Sequence, residues 1–347
     1  MTSSNGNGFG ITIPGYRVLH RVGAGGMGSV YQAEQLSMQR VVALKLFNGP
    51  HHLNPEESVA SRRFVREAHT AGRLQSPYVI AVYDAGVHQN QRYLGMEWVD
   101  GGDAQQAAKN AGGRLPPQRA LAIIRDAAMG LVAIESAQLI HRDVKPANIL
   151  LAQSSSGEMA KLADLGLSRG LDLDDRMTHT GAIMGTPAFM SPEQAEGVAD
   201  LDIRSDIYSL GASLFALICG RAPFIGGSPW ATVAAVLKDP LPDPKQFGCP
   251  AEIAELIEHC MVKDRSLRPA NPGIVVSLLN DVLGRLADSP AMVIAHPPLP
   301  SQPPCINQQQ LNSGFAVSPR LILPRCSDQR QRGKRSTTAG PPRSARG

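Results

Sequence analysis

The run His141-Arg142-Asp143-Val144-Lys145-Pro146-Ala147-Asn148 packs a base, a cation and a metal-seeking amide into one short loop. An aspartate there can take the proton from an attacking hydroxyl, and the lysine two residues on can neutralise a moving phosphoryl group. The asparagine five residues beyond the aspartate can hold a magnesium ion. Few other chemistries need that set, so the run points to phosphoryl transfer from a nucleotide. The neighbouring His141 is expected to pack in the core and to do no proton chemistry.

Such chemistry needs the phosphates held, and Gly23-Ala24-Gly25-Gly26-Met27-Gly28 is a G-x-G-x-x-G run. Alone, the pattern is shared with dinucleotide-binding folds, where the third glycine opens a helix and an acidic residue comes about 20 residues later. Here Ser29-Val30-Tyr31-Gln32-Ala33-Glu34 alternates like a strand, and the charged residue at the corresponding distance is Lys45, in Val42-Ala43-Leu44-Lys45. A hairpin loop bare of side chains, succeeded by a strand lysine, suits a triphosphate lid and its anchoring cation.

A helix supplies a counter-charge. Asn54 as N-cap, Pro55 at the first helical position and Glu57 three residues after the cap mark its start. It runs to about Leu74, with Phe64, Glu67, Ala71 and Leu74 at helical spacing, so Glu67 falls within the inward stripe. A carboxylate there needs a cation, because leaving one uncompensated in a buried site costs about 3–5 kcal/mol. Lys45 is the candidate, and the pair would hold the amine toward the α- and β-phosphates.

These pieces need a frame. Short β-like runs dominate from Tyr16 to about Trp98, over residues 16–22, 29–34, 40–47, 80–86 and 92–98, with the one helix interrupting them. After Gly101-Gly102 the chain turns mainly helical, with Leu121, Ile124, Ala128 and Leu131 on one face. The expected class is α+β and bilobal: a flexible N-terminus over 1–13, a small β-rich lobe over 14–98 and a larger helical lobe over 99–287. Residues 288–347 form a Pro/Arg-rich tail whose composition predicts disorder.

The bulk numbers fit that frame. A chain of 347 residues exceeds what one core usually fills. The formal charge of +4 is uneven: from residue 289 on, seven Arg and one Lys stand against one Asp, a net +7 that leaves −3 before it. Five cysteines without a C-x-x-C spacing signal neither a disulfide framework nor a zinc site, and fit a reducing, cytoplasmic setting. The longest strongly apolar stretch, Tyr208 to Gly220, is short of the roughly 20 residues of a membrane span and reads as a buried core helix. The polar start, Met1 to Phe9, carries no export signal.

By these motifs and their order the chain resembles the eukaryotic-like serine/threonine protein kinases, especially the bacterial soluble and receptor forms, over about Tyr16 to Ala287. The resemblance implies the two-lobed kinase fold, ATP and Mg²⁺ as cofactors, and transfer of the γ-phosphoryl group to Ser/Thr hydroxyls of protein substrates. On that likeness Gly23, Ala24, Gly25, Gly26, Met27 and Gly28 would cover the phosphates, and Val30 and Ala43 would roof the adenine. Met96 would be the gatekeeper, with the backbone of Glu97 and Val99 facing the adenine edge. Lys45 and Glu67 would form the activating ion pair. Asp143 would be the base, Lys145 the γ-phosphate contact, and Asn148 and Asp164, in Asp164-Leu165-Gly166, the metal ligands. Lys145, Gly185-Thr186-Pro187 and Ser191-Pro192-Glu193 are of the serine/threonine type, and Glu193 would pair with the arginine of Arg268-Pro269.

The same resemblance implies regulation. Arg142, ahead of the base, marks enzymes switched on by phosphorylation between Asp164 and Glu193, where Thr178 and Thr180 lie, with Thr180 slightly preferred. A phosphothreonine can make about 1–3 charge-assisted hydrogen bonds to an arginine cluster, enough to order a loop. A transient homodimer for phosphorylation in trans is implied by resemblance only. Three positions depart from the family pattern: Leu165 where Phe is usual, Ser191 where Ala is usual, and Ala71 where a larger apolar residue is common. A truncation like the last can cost about 2–5 kcal/mol if neighbours do not close in, so the helix bearing Glu67 is expected to sit loosely at rest.

Two other readings stay open at this point. A pseudokinase, a nucleotide-binding scaffold without catalysis, usually lacks the lysine, the base or the metal aspartate, and here Lys45, Asp143, Asn148 and Asp164 are all present. A binder of acidic partners acting through the basic tail, which has only Phe315 as an aromatic, fits nonspecific electrostatics better than base stacking. The tail could instead carry phosphosites at Ser336, Thr337 and Thr338, or be a linker with no further role.

Overall fold

The computed structural model describes residues 11–26, 28–48, 59–89, 91–154, 157–166 and 186–288. Its first lobe is one antiparallel sheet of β1 (Tyr16–Gly25), β2 (Gly28–Gln35), β3 (Arg40–Phe47), β4 (Val82–His88) and β5 (Gln91–Glu97), in the order β1-β2-β3-β5-β4. A helix, α1 (Val59–Gly72), comes between β3 and β4 in the chain. The central strand β3 is apolar on both faces because each face has its own core. Val42, Leu44 and Leu46 join Tyr16, Val18 and Tyr31, while Ala43 and Phe47 join Phe64, Ala68 and Ala71 of α1. The two-residue period of a strand therefore puts Lys45 on the α1 side, between Ala43 and Phe47. It is only 6% exposed.

The second lobe holds α2 (Ala104–Asn110), α3 (Pro117–Ser136), an antiparallel hairpin of β6 (Ile149–Ser154) and β7 (Gly157–Leu162), then α4 (Pro192–Ala195), α5 (Ile203–Cys219), α6 (Pro229–Lys238), α7 (Ala251–Cys260) and α8 (Pro272–Asp288). Helix α5 is buried nearly all round, as a helix apolar on every side must be. Asp202 caps its start by accepting a hydrogen bond from Arg204 N at 2.8 Å, and Gly220 ends it in a left-handed conformation, φ +75°. At Gly211 a Cβ would come within 2.8 Å of Cys260 Cβ, so this glycine sets how closely α5 and α7 cross.

The expected strands of the first lobe are all present, β3 with the expected bounds and the others with ends shifted by at most three residues. The core helix read from Tyr208 begins earlier, at Ile203, because the Asp202 cap lies upstream of the apolar run. The second lobe is mainly helical, as expected, and the β6–β7 hairpin is an addition to it: Ile149–Leu151 is an apolar run whose period does not distinguish strand from buried helix. Asn54, Pro55 and Glu57 lie outside the described residues, as does the tail from 289 on. Described α1 ends at Gly72, and single turn bonds, Arg73 N to Thr70 O and Leu74 N to Ala71 O, carry the chain on to Leu74. Among the described residues no helix is long and apolar enough to cross a membrane.

The expected ion pair between Glu193 and Arg268 is present and buried. Arg268 Nη1 and Nη2 donate to the two Glu193 carboxylate oxygens at 2.7 and 2.9 Å, a bidentate geometry. The remaining guanidinium hydrogens go to the carbonyls of Val262, Lys263 and Arg204, and Ser205 Oγ donates to Glu193 at 2.6 Å. Burial alone would raise the Glu193 carboxyl, but the hydrogen bonds from Arg268 and Ser205 outweigh it and hold the group down to about 2.

Because the folded value lies below the ordinary 4.5, this group's stabilisation is complete above about pH 5 and is lost as pH falls toward 2, a swing of about 3 kcal/mol. Arg268→Met, which leaves a buried carboxylate uncompensated, should cost about 3–5 kcal/mol in urea unfolding at pH 7. The gap to the wild type should narrow markedly at pH 3.

Candidate active site

The loop between α3 and β6 is held from below by one buried carboxylate. Asp206 of α5, fully buried, accepts from His141 N and Arg142 N at 2.7 Å each. Arg142 adopts φ +65°, a left-handed conformation that costs a non-glycine residue of order 1–3 kcal/mol. Hydrogen bonds to a charged acceptor return about 1.5–3 kcal/mol each, so the two bonds from Asp206 suffice to keep the kink. From above, Gln194 Nε2 donates to Arg142 O at 3.0 Å and Gly166 N to His141 O at 3.0 Å.

His141 is fully buried, as expected, and serves as a splint. Its Nδ1 accepts from Asp143 N at 3.3 Å, which leaves Nε2 to donate to Ala163 O at 2.9 Å. Burial lowers its pKa, outweighing the pull of the nearby carboxylates, so the ring is neutral and ties the loop to the segment just after β7.

On that base the polar side chains converge. Lys145 Nζ lies 2.8 Å from Asp143 Oδ2, and Asn148 Nδ2 donates to the same Oδ2 at 2.9 Å and to Asp143 O at 2.8 Å. Two acceptors facing one end of the amide fix its orientation, so Oδ1 is the atom Asn148 turns elsewhere. Asn148 O accepts from Ala163 N at 2.9 Å, which brings the next residue, Asp164, alongside. Asp164 too is left-handed, φ +61°. Its Oδ2 sits 2.7 Å from Lys45 Nζ, joining the two lobes across the cleft.

The glycine run roofs this cleft. β1 and β2 pair down to Gly25 opposite Gly28, and β2 pairs with β3 so that Val30 faces Lys45. Gly28 has φ +152°, and a Cβ there would lie 2.0 Å from Leu46 O, so only glycine fits. At Gly23, Gly25 and Gly26 a Cβ would meet nothing within 4 Å, and the absence of side chains there leaves the space below unobstructed. That space is a cavity of about 510 Å³ lined by Gly23, Ala24, Gly25, Gly26, Gly28, Val30, Lys45, Lys145, Asp164 and Thr186.

Beside it lies an apolar cluster. Ala43 and Met96 are buried in one cluster with Ala163, and Val30, Val99 and Leu150 pack against it. Leu150 and Ala163 were missed from sequence; both sit on a strand or turn with no polar chemistry to mark them. Asp206 was missed for the opposite reason, since a lone aspartate in an apolar helix carries no spacing signal. Glu97 N donates to Ala81 O at 2.9 Å, and its side chain pairs with Lys161 at 2.5 Å.

The carboxylate found on Lys45 is Asp164, where the sequence spacing pointed to Glu67. Glu67 is half-buried on α1, and with Ala71, Arg142 and Leu165 it lines a second cavity, of about 270 Å³. The small Ala71 side chain, itself buried, thus has open space beside it. Met27, Thr178 and Thr180 lie outside the described residues.

Comparison with known proteins decides the family. The protein kinase domain description matches residues 16–279. This chain belongs to that family. Among curated kinases, serine/threonine-protein kinase pkn2 of Myxococcus xanthus is 39% identical over 216 residues, 62% of this chain and 25% of that protein. Serine/threonine-protein kinase PknD of Mycobacterium tuberculosis is 37% identical over 255 residues, 74% of this chain and 37% of that protein. The kinase therefore spans well under half the length of these curated relatives. In solved structures, the PknI kinase domain of Mycobacterium tuberculosis matches with a TM-score of 0.62 and 27% identity, covering 78% of this chain and 97% of that one. The bilobal kinase fold expected from sequence is thus the fold observed.

Asp206→Ala would leave two buried N–H donors without acceptors, each worth about 1–3 kcal/mol. Urea unfolding of this variant should show a loss of about 2–6 kcal/mol. An unchanged midpoint would mean that Asp206 does not hold the loop.

Proposed function

We propose that this kinase transfers the γ-phosphoryl group of ATP to Ser or Thr hydroxyls of proteins, with Asp143 as the base. The observation that supports the reading is that Lys45, Lys145 and Asp164 line one cavity under a glycine roof, with Asp143 bonded to Lys145 and to Asn148 beside it. Adenine would lie against the apolar cluster of Val30, Ala43, Met96, Val99 and Leu150, with the Glu97–Val99 backbone at its polar edge. The triphosphate would lie in the cavity beneath Gly23–Gly26. A scaffold without catalysis would have no need for the base, its lysine and the amide to be held together.

The residues present fit Mg²⁺. No group of three or more His, Cys, Asp or Glu able to share a metal occurs among the described residues. A hard ion here would take Asp164 and the Asn148 Oδ1, with phosphate oxygens completing its shell, as magnesium prefers. The bound ion would neutralise charge on the phosphates. The protein's part is positioning and electrostatics, because phosphoryl transfer passes through a loose transition state. Asp143 orients the hydroxyl and takes its proton, Lys145 screens the group in flight, and Lys45 exchanges Asp164 for Glu67 as α1 closes toward the cleft, its looseness at Ala71 permitting the move.

Regulation belongs to the same reading: phosphorylation at Thr178 or Thr180, in trans through a transient homodimer, would supply an anion to Arg142, and the basic tail would contact acidic partners. Mass spectrometry of active enzyme should find one of the two threonines phosphorylated, and recovery of both unmodified would count against this switch.

Asp143→Asn keeps the shape of the site and removes the base. Transfer from radiolabelled ATP to a generic basic protein should fall by about 10²–10⁴-fold while nucleotide binding persists; an undiminished rate would contradict the assigned base.

A further inference from the structure

We propose that Glu97 and Lys161 form a latch at the hinge edge of the cleft, which limits how far the lobes part and so slows the escape of a bound nucleoside diphosphate. Lys161 lies on β7, where the two-residue period turns Ala160 and Leu162 into the core of the helical lobe and leaves Lys161 on the opposite face. That face meets the first lobe: Leu150, the partner of Lys161 on β6, packs against the cluster of Ala43, Met96 and Ala163.

From the first lobe comes Glu97, the last residue of β5. Its Oε1 lies 2.5 Å from Lys161 Nζ, its Oε2 accepts from Ala81 N at 3.3 Å, and its own N–H donates to Ala81 O at 2.9 Å. Both carboxylate oxygens are thus occupied, and one residue ties together the end of β5, the segment between α1 and β4, and β7. The Lys161 and Glu97 side chains are 12% and 24% exposed, so the pair is partly withdrawn from the water and salt that weaken surface ion pairs.

The covalent joint beside this pair is short. Gly102 O accepts from Leu151 N at 2.9 Å, and a Cβ on Gly101 would come within 1.9 Å of Leu151 O, so both glycines are pressed against β6. Of the chain connecting the lobes, residues 98–100 are left to turn. A latch next to that pivot acts with leverage. Glu97 pairs with Val42 at one end of β3 and Gly28 with Phe47 at the other, so a small lengthening between Glu97 and Lys161 swings the glycine hairpin much further. The other ion pair between the lobes, Lys45 with Asp164, lines the cavity under the glycine roof, and Glu97 and Lys161 do not. Binding in the cavity therefore leaves the latch closed, and opening for exit must stretch it. Both are positioning residues. The release role rests on the nucleotide reading above, whereas the latch itself stands on this geometry.

The test uses the full chain and ADP carrying a fluorescent methylanthraniloyl group. Stopped-flow displacement should show release faster by about 3–10-fold in Lys161→Met and in Glu97→Gln. Because the two act as one unit, the double variant should release no faster than the faster single one, and Lys161→Arg, which keeps the charge, should stay near the wild type. Hydrogen exchange without nucleotide reads the opening directly. Peptides holding Ala81, and Leu162, whose N–H donates to Tyr78 O at 2.9 Å across the same junction, should exchange faster in Lys161→Met, with those of α5 unchanged. Release that stays at the wild-type rate, or factors that multiply in the double variant, would overturn the proposal. Unchanged exchange at Ala81 and Leu162 would overturn the latch whatever the chain binds. A wild type that held no ADP would instead overturn the nucleotide reading, and the release role with it.

Discussion

The geometry of the cleft depends on the Asp206 carboxylate. Helix α5 is the most completely buried element of the helical lobe, and a charge within it is tolerable only because two backbone N–H groups meet it. That requirement runs in both directions. The carboxylate needs the loop as much as the loop needs the carboxylate, so the position of Asp143 is referenced to the lobe's most rigid helix and not to the surface.

From that point the polar order is continuous. Arg142 O accepts from Gln194, whose carbonyl oxygen accepts from Ser191 N in the capping box of α4. The next-door Glu193 is locked to Arg268, and Arg268 reaches back to the Arg204 carbonyl at the start of α5. The loop with the base, the short helix after Thr186 and the core helix thus form one closed circuit of hydrogen bonds. Few of these contacts carry large energies singly, but all are buried or half-buried, where an unmatched polar group costs most. Across the cleft two ion pairs join the lobes, Lys45 with Asp164 and Glu97 with Lys161.

Much of the site was legible because its chemistry is local in sequence. Asp143, Lys145 and Asn148 fall within six residues, and the glycine run announces a bare hairpin leading into a strand lysine. Even the long-range pair of Glu193 and Arg268 was readable through resemblance. What escaped was of four kinds. Leu150 and Ala163 belong to the apolar cluster with side chains that any core could use. Asp206 belongs to no motif that spacing reveals, and its role exists only once α5 packs beneath the loop. The carboxylate that the structure puts on Lys45 is Asp164, after β7, and spacing along the chain does not rank that residue against Glu67 on α1. The β6–β7 hairpin was hidden by an apolar run that reads equally as helix.

The close approach at Gly28 has a mechanical meaning. With the Gly28 Cα pressed toward the Leu46 carbonyl, the second strand of the hairpin cannot hinge away, even beside the turn, from the strand bearing Lys45 without breaking the pairing of β2 with β3. Only the tip, from Gly23 to Gly26, is unobstructed. A nucleotide would therefore enter beneath a fixed awning whose fringe alone bends, and the separation between the phosphate cover and the lysine is built in before any ligand arrives.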